Sequence, residues 1–112
     1  MMKLTYVIKY VEDMDQAVRF YTHKLGFALR FQSPDWSEFE TGETTLALHA
    51  ASAEHPAGTC QMGFGVSDLD KFYAEKKESG IVFTSAPIEL FGSRIARFTD
   101  SEGVECGVSE NQ

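Results

Sequence analysis

Asp13-Met14-Asp15-Gln16-Ala17-Val18-Arg19-Phe20-Tyr21-Thr22-His23-Lys24-Leu25-Gly26-Phe27 is the stretch on which the fold turns. Asp13 has the side chain of a helix N-cap, and Gln16 completes a capping-box pattern. In that pattern side-chain oxygens meet N–H groups that a first turn leaves unpaired. Met14, Ala17, Val18, Tyr21 and Leu25 then recur at helical spacing. Gly26 stands where the chain must leave the helix through a left-handed residue, which glycine adopts with no Cβ penalty. The spacing predicts a helix over 14–25.

Upstream, Lys3 to Val11 alternates as a strand, with Tyr6, Ile8 and Tyr10 on one face and Val7 and Val11 on the other. Downstream, strands are expected at Phe27 to Phe31, Trp36 to Glu40 and Thr44 to His49, separated by turns. The chain then repeats itself. Val66-Ser67-Asp68-Leu69-Asp70 echoes Val11-Glu12-Asp13-Met14-Asp15, and a second helix runs from Asp68 to about Ser79 before Gly80. Strands are expected at Gln61 to Val66, Ile81 to Thr84, Arg94 to Phe98 and Val104 to Val108. A break at Ser85-Ala86-Pro87 precedes a short edge strand at Ile88 to Phe91. The reading is one domain: a first module at about 1–49, a linker at 50–58 containing Pro56, and a second module at about 59–110. Short strands need long crossovers to pair in parallel, so pairing after each helix should be mostly antiparallel.

With 43% hydrophobic residues and nine phenylalanines, 112 residues can build a core without disulfides. A formal charge of −7 disfavours nucleic acid and suits neutral or cationic ligands. No secretory or bilayer-spanning run is evident, so no membrane partner is expected. Cys60 and Cys106 lack paired metal-site spacing and read as reduced packing thiols, which points to a cytoplasmic protein.

Asp13-x-x-x-Ala17-x-x-Phe20-Tyr21-x-x-x-Leu25-Gly26-Phe27 resembles the N-terminal signature of the vicinal oxygen chelate superfamily. Its members include glyoxalase I, bleomycin-resistance proteins, extradiol dioxygenases and fosfomycin-resistance enzymes. Val66-Ser67-Asp68-Leu69-Asp70, Gly80 and Asp100-Ser101-Glu102-Gly103 extend the resemblance over nearly the whole chain. It implies an α+β fold of two βαβββ modules forming an open mixed-sheet half-barrel cup, usually completed in a homodimer. It also implies a divalent metal held by one residue from each of four strands, at positions that here read Tyr6, Ala47, Gln61 and Gly107. Gln61 is a competent ligand type. Ala47 and Gly107 carry no donor, and a neutral tyrosine is a poor ligand for a hard ion. No metal cofactor is therefore expected. An atypical trio of Gln61, His49 and Glu105 would need three register offsets to converge; a rim histidine and a pocket-edge carboxylate are the simpler reading.

Strand alternation turns Tyr6, Ile8, Tyr10, Ala47, His49, Gln61, Gly63, Gly65, Glu105, Gly107 and Ser109 towards the cup, and Met62, Phe64 and Val66 beneath the helix. The small residues leave volume that a ligand or facing aromatic rings would fill. Trp36, Phe39 and Phe91 are candidate walls. The expected ligand pocket is thus Tyr6, Ile8, Tyr10, Trp36, Phe39, His49, Gln61, Phe91 and Glu105. Arg94 and Arg97 lie on opposite faces of one strand, so at most one points inward; His23 and His55 read as surface residues. The leading function is metal-free binding of a small aromatic or cationic molecule, in the manner of bleomycin-resistance proteins. The alternatives are a metal-dependent lyase, isomerase or dioxygenase with atypical ligands, and a structural or regulatory dimer with a closed cavity. No catalytic residue is assigned.

Overall fold

In the computed structural model, which describes residues 1–90 and 92–110, both predicted N-caps form. The Asp13 carboxylate accepts from the Gln16 N–H at 3.0 Å, and the Asp68 carboxylate from the Lys71 N–H at 3.1 Å. The chain divides into two compact units, Thr5–Gln61 and Met1–Leu4 with Met62–Gln112.

The first unit draws on β1 (Lys3–Val11), α1 (Met14–Arg19), β2 (Ala28–Phe31), β3 (Trp36–Glu40) and β4 (Thr45–Ala50), in the sheet order β2-β3-β4-β1. β1 and β4 pair in parallel, with Ile8 beside Ala47 and Tyr10 beside His49. β3 runs antiparallel to β4, with Trp36 beside His49 and Glu38 beside Ala47. Tyr6, Ile8, Tyr10, Trp36, Glu38, Ala47 and His49 therefore share one face. On the other face Phe39 and Leu48 pack with Val18 of α1, flanked by Met14, Ala17 and Tyr21.

The helix predicted over 14–25 is α-helical only to Arg19 and continues over Phe20–Lys24 as a wider π turn. Leu25 N–H reaches back to the Phe20 carbonyl at 3.2 Å. The Thr22 hydroxyl donates to the Val18 carbonyl at 2.7 Å, the acceptor an unbroken α ladder would use. Threonine competes with its own helix in this way, and single π turns are the usual accommodation. Gly26 then turns the chain at φ +81°.

The segment read as a linker is a tied loop of the first unit. Ala51 and Gly58 donate to the Val11 and Tyr10 carbonyls, each at 2.9 Å, and Tyr10 N–H donates to Thr59 at 2.9 Å.

The second unit draws on β5 (Cys60–Val66), α2 (Leu69–Glu78), β6 (Phe83–Leu90), β7 (Ser93–Thr99) and β8 (Glu105–Glu110), in the order β5-β8-β7-β6. β5 and β8 are parallel, while β6, β7 and β8 run antiparallel. Each half is thus a βαβββ module with a mixed sheet and antiparallel pairing after the helix, as expected. Val66, Leu69, Phe72, Ala96, Phe98, Cys106 and Val108 form the core under α2, with Phe64 packed against it. Met62, expected there too, is exposed. Ser85-Ala86-Pro87 does not break the chain into two strands: β6 runs through Pro87 with register shifts on its way. β6 is the outermost strand in this unit's order, so the N–H that proline lacks costs no ladder bond. Phe91 lies outside the described residues.

Candidate functional site

The polar and aromatic residues of the first unit converge on the sheet face opposite α1. The Tyr6 and Trp36 rings lie 6.0 Å apart, and Trp36 meets His49 edge-on at 5.8 Å. His49 contacts Tyr10 at 5.1 Å. The His55 ring lies over Tyr10 at 4.5 Å, almost parallel to it. The result is an unbroken chain of rings, Tyr6–Trp36–His49–Tyr10–His55, with Ile8 and Ala47 on the same face. His55, read as a surface residue, instead caps Tyr10 from the tied loop.

Glu38 sits within this face, only 9% exposed. Its carboxylate accepts from Arg30 at 2.8 Å and from the Trp36 indole N–H at 2.8 Å. Arg30 forks to Glu40 through its other nitrogen at 2.9 Å. A bidentate guanidinium is suited to holding two carboxylates in fixed geometry. Burial pushes the Tyr6 phenol above its ordinary value of about 10, and the charge of Glu38 pushes it further, opposed in part by Arg30. A hydrogen bond between Tyr6 and Glu38 adds to the rise. Tyr6 is therefore a protonated phenol at neutral pH.

Gln61 is as buried as Glu38, and its Oε1 accepts the Tyr10 O–H at 2.6 Å. His49 Nδ1 lies 2.8 Å from the Ala50 carbonyl. A carbonyl has no proton to give, so Nδ1 carries the hydrogen in this contact.

Of the expected pocket residues, Tyr6, Ile8, Tyr10, Trp36, His49 and Gln61 thus belong to the first unit, the five strand residues of β1, β3 and β4 on one face. Phe39 does not join them. Its neighbours in register put it on the helix side, fully buried against Val18 and Leu48, so it is core and not wall. Glu105 belongs to the second unit, where it accepts from Thr84 at 2.7 Å and lies 4.0 Å from Arg97. Arg94 pairs with Asp70 of α2, so of the two arginines only Arg97 is left for the opposite face. Gly107 pairs with Gly63 and Arg97, and a Cβ added there would meet nothing within 4 Å. Crowding is not what keeps that position small. Glu38, Arg30 and His55 were missed by sequence reasoning. Glu38 had a signal, since it lies two residues from Trp36 in β3 and must share its face; Arg30 and His55 had none.

An open depression of about 740 Å³ lies elsewhere in the first unit, lined by Glu12, Asp13, Met14, Asp15, Gln32, Ser33 and Pro34. Two of its carboxylates are already used: Asp13 caps α1, and Asp15 accepts from Gln32 at 2.7 Å.

The sequence and the fold place the chain among known proteins. It belongs to the Glyoxalase/Bleomycin resistance protein/Dioxygenase superfamily, whose family model matches residues 3–107. An uncharacterized protein, YurT, of Bacillus subtilis (strain 168) is 34% identical over 119 residues, covering 91% of this chain and 94% of YurT. A hypothetical protein from Bacillus halodurans C-125 superposes with a TM-score of 0.82 at 20% identity, over 99% of this chain and 95% of the other. A methylmalonyl-CoA epimerase (E43L) from Streptomyces coelicolor, solved with 2-nitronate-propionyl-CoA, gives a TM-score of 0.80 at 19% identity. That match covers 97% of this chain and 94% of the epimerase.

Proposed function

We propose that this superfamily member binds a small aromatic or cationic molecule on the ring-lined face of its first unit, without the metal site common in the superfamily. The observation that carries this reading is the continuous ring chain from Tyr6 to His55 with a buried, ion-paired carboxylate, Glu38, set into it. Hydrophobic and aromatic side chains with a few placed polar groups are the usual lining of a small-molecule site.

The donor set is a poor match for a divalent ion. Ala47 and Gly107 have no ligand atom, the Gln61 oxygen is engaged by Tyr10, and the Tyr6 phenol is held protonated. Among the described residues no three His, Cys, Asp or Glu side chains are grouped to hold a metal ion. A metal-dependent lyase, isomerase or dioxygenase is therefore the weaker reading; epimerase neighbours near 20% identity speak only to the fold.

We also place the chain in a homodimer, supported by the exposed Phe20, Leu25, Phe27, Leu29 and Phe31 of the first unit. The two free cysteines support a cytoplasmic location. No helix among the described residues is long and apolar enough to cross a membrane.

The test is a thermal-shift titration of the chain purified without chelator, with added nickel, zinc, manganese and iron in one arm and aromatic ammonium compounds in the other. Stabilisation by an aromatic compound, approaching about 2.7 kcal/mol at a hundredfold excess over Kd, is the expected result. Stoichiometric metal bound by the purified chain would overturn it.

A further inference from the structure

We propose that Tyr6, Trp36 and Glu38 recognise a quaternary ammonium group, so that this face takes a small cation methylated at nitrogen in preference to one bearing N–H groups. The proposal rests on the binding reading above and narrows its ligand to one class of cation.

Glu38 ties the two rings together. The Trp36 indole N–H donates to its Oε2 at 2.8 Å, and the Tyr6 phenol also hydrogen-bonds to it. A carboxylate only accepts, so both rings give their polar hydrogens to one anion. A donor bound to an anion is polarised, and its ring becomes more negative. The ring centroids lie 6.0 Å apart with planes inclined at 59°, and neither ring is fully buried. A cation can then lie within about 6 Å of both centroids, the range over which a ring face attracts one.

Behind the rings the charges do not cancel. Arg30 is shared between Glu38 at 2.8 Å and Glu40 at 2.9 Å, so one guanidinium stands against two carboxylates. The group keeps one negative charge, in a chain whose formal charge is −7. That field favours a cation and disfavours a carboxylate.

The same bonds decide which cation. Glu38 is 9% exposed, and Arg30, Trp36 and Tyr6 already take three of its about four acceptor positions. A primary ammonium brings three N–H donors that would leave water and find little to replace it. A quaternary ammonium has no N–H to satisfy. Its methyl groups meet the ring faces, and its charge feels Glu38 through the rings without needing a lone pair.

The experiment titrates the full chain with choline, its uncharged isostere 3,3-dimethylbutan-1-ol, ethanolamine and benzyl alcohol. Binding is followed by ligand-observed NMR and by the fluorescence of Trp36, the chain's single tryptophan. Choline is expected to bind at least about tenfold tighter than each of the other three, and to change the Trp36 emission. Tyr6→Leu should erase most of that preference, whereas Tyr6→Phe keeps the ring and should keep the preference. Tyr6→Leu also removes a donor from Glu38, so the ranking on the unaltered chain is the primary measurement. Equal affinity for choline and its isostere, or tightest binding of ethanolamine, overturns the quaternary ammonium site. So does choline binding that leaves Trp36 emission unchanged, or that survives Tyr6→Leu with its preference intact. Benzyl alcohol binding as tightly as choline overturns it too, yet leaves the broader binding reading standing. No binding of any probe overturns both.

Discussion

The Tyr10 hydroxyl donates to Gln61 Oε1 across 2.6 Å, joining two side chains that are each less than a tenth exposed and lie 51 residues apart in the chain. A hydrogen bond of this kind adds modestly when made and costs more when one partner is deleted, because the survivor stays buried and unpaired. Tyr10→Phe keeps the ring and its contacts with His49 and His55 but leaves the Gln61 oxygen unmet. The expected loss is about 1–3 kcal/mol of unfolding free energy. It should appear in urea melts as a lower midpoint at unchanged slope. A midpoint within error of the parent would mean that water replaces the phenol at no cost.

Phe39 and Leu48 are both fully buried, on the α1 side of the sheet. Leu48→Ala should cost about 2–5 kcal/mol and Phe39→Ala about 3–5 kcal/mol, as transfer and cavity terms add. Neither change should alter the aromatic-face hydrogen bonds, so ligand affinity corrected for the folded fraction should stay constant. A loss of affinity specific to Phe39→Ala would restore Phe39 as a wall of the site.

That contrast shows what could be read from the chain. The paired modules were legible because caps, helical spacing and strand alternation are local properties, and Asp13 and Asp68 each announce a helix through one side chain. The face shared by Tyr6, Tyr10 and His49 was legible for the same reason, since alternation within a strand needs no partner. Phe39 was misplaced because its ring invited a site assignment, although alternation from Trp36 already put it on the opposite face. The π turn after Arg19 depends on a Thr22 hydroxyl competing with the backbone, and nothing in the apolar spacing marks it. Arg30 and His55 reach the site through long-range contacts with Glu38 and Tyr10, which no local pattern encodes.

The two thiols differ in surroundings. Cys60 is exposed, whereas Cys106 is 2% exposed within the α2 core, and burial followed by the charges of Asp100 and Glu105 pushes its thiol above the ordinary value. Only the thiolate reacts, so Cys106 is protected by both access and ionisation. A native chain should consume one equivalent of a disulfide reagent quickly and the second only on unfolding. Equal rates for both would show that the second unit opens around β8 under native conditions.

Leu29 and Phe31 project exposed apolar surface from β2, which is the outermost strand in the first unit's order. Exposed edges and apolar patches invite a partner. If a second copy covers them, Phe31→Glu should convert a dimer into a monomer by light scattering at micromolar concentration, with little change in the monomer's circular dichroism. A chain that is monomeric before substitution removes the dimer from the proposal.

Alkaline titration reports on Tyr6 directly. Its pKa is raised by burial first and then by Glu38, so the folded chain holds this proton more tightly than the unfolded chain does. Between the ordinary phenol value near 10 and the higher folded value, the folded state binds more protons. Stability must then fall as pH rises through that window, and below it Tyr6 contributes no slope. Urea midpoints should decline from about pH 10 upward, the tyrosinate absorbance of the native chain should lag that of the unfolded chain, and Tyr6→Phe should lower the late step by one phenol. The partial opposition from Arg30 gives a second handle. Arg30→Gln removes the positive charge that tempers Glu38, so the Tyr6 step should move to still higher pH. Movement to lower pH would mean that losing Arg30 frees Glu38 to turn away, and that the salt bridge, not the sheet, holds the carboxylate beside the phenol.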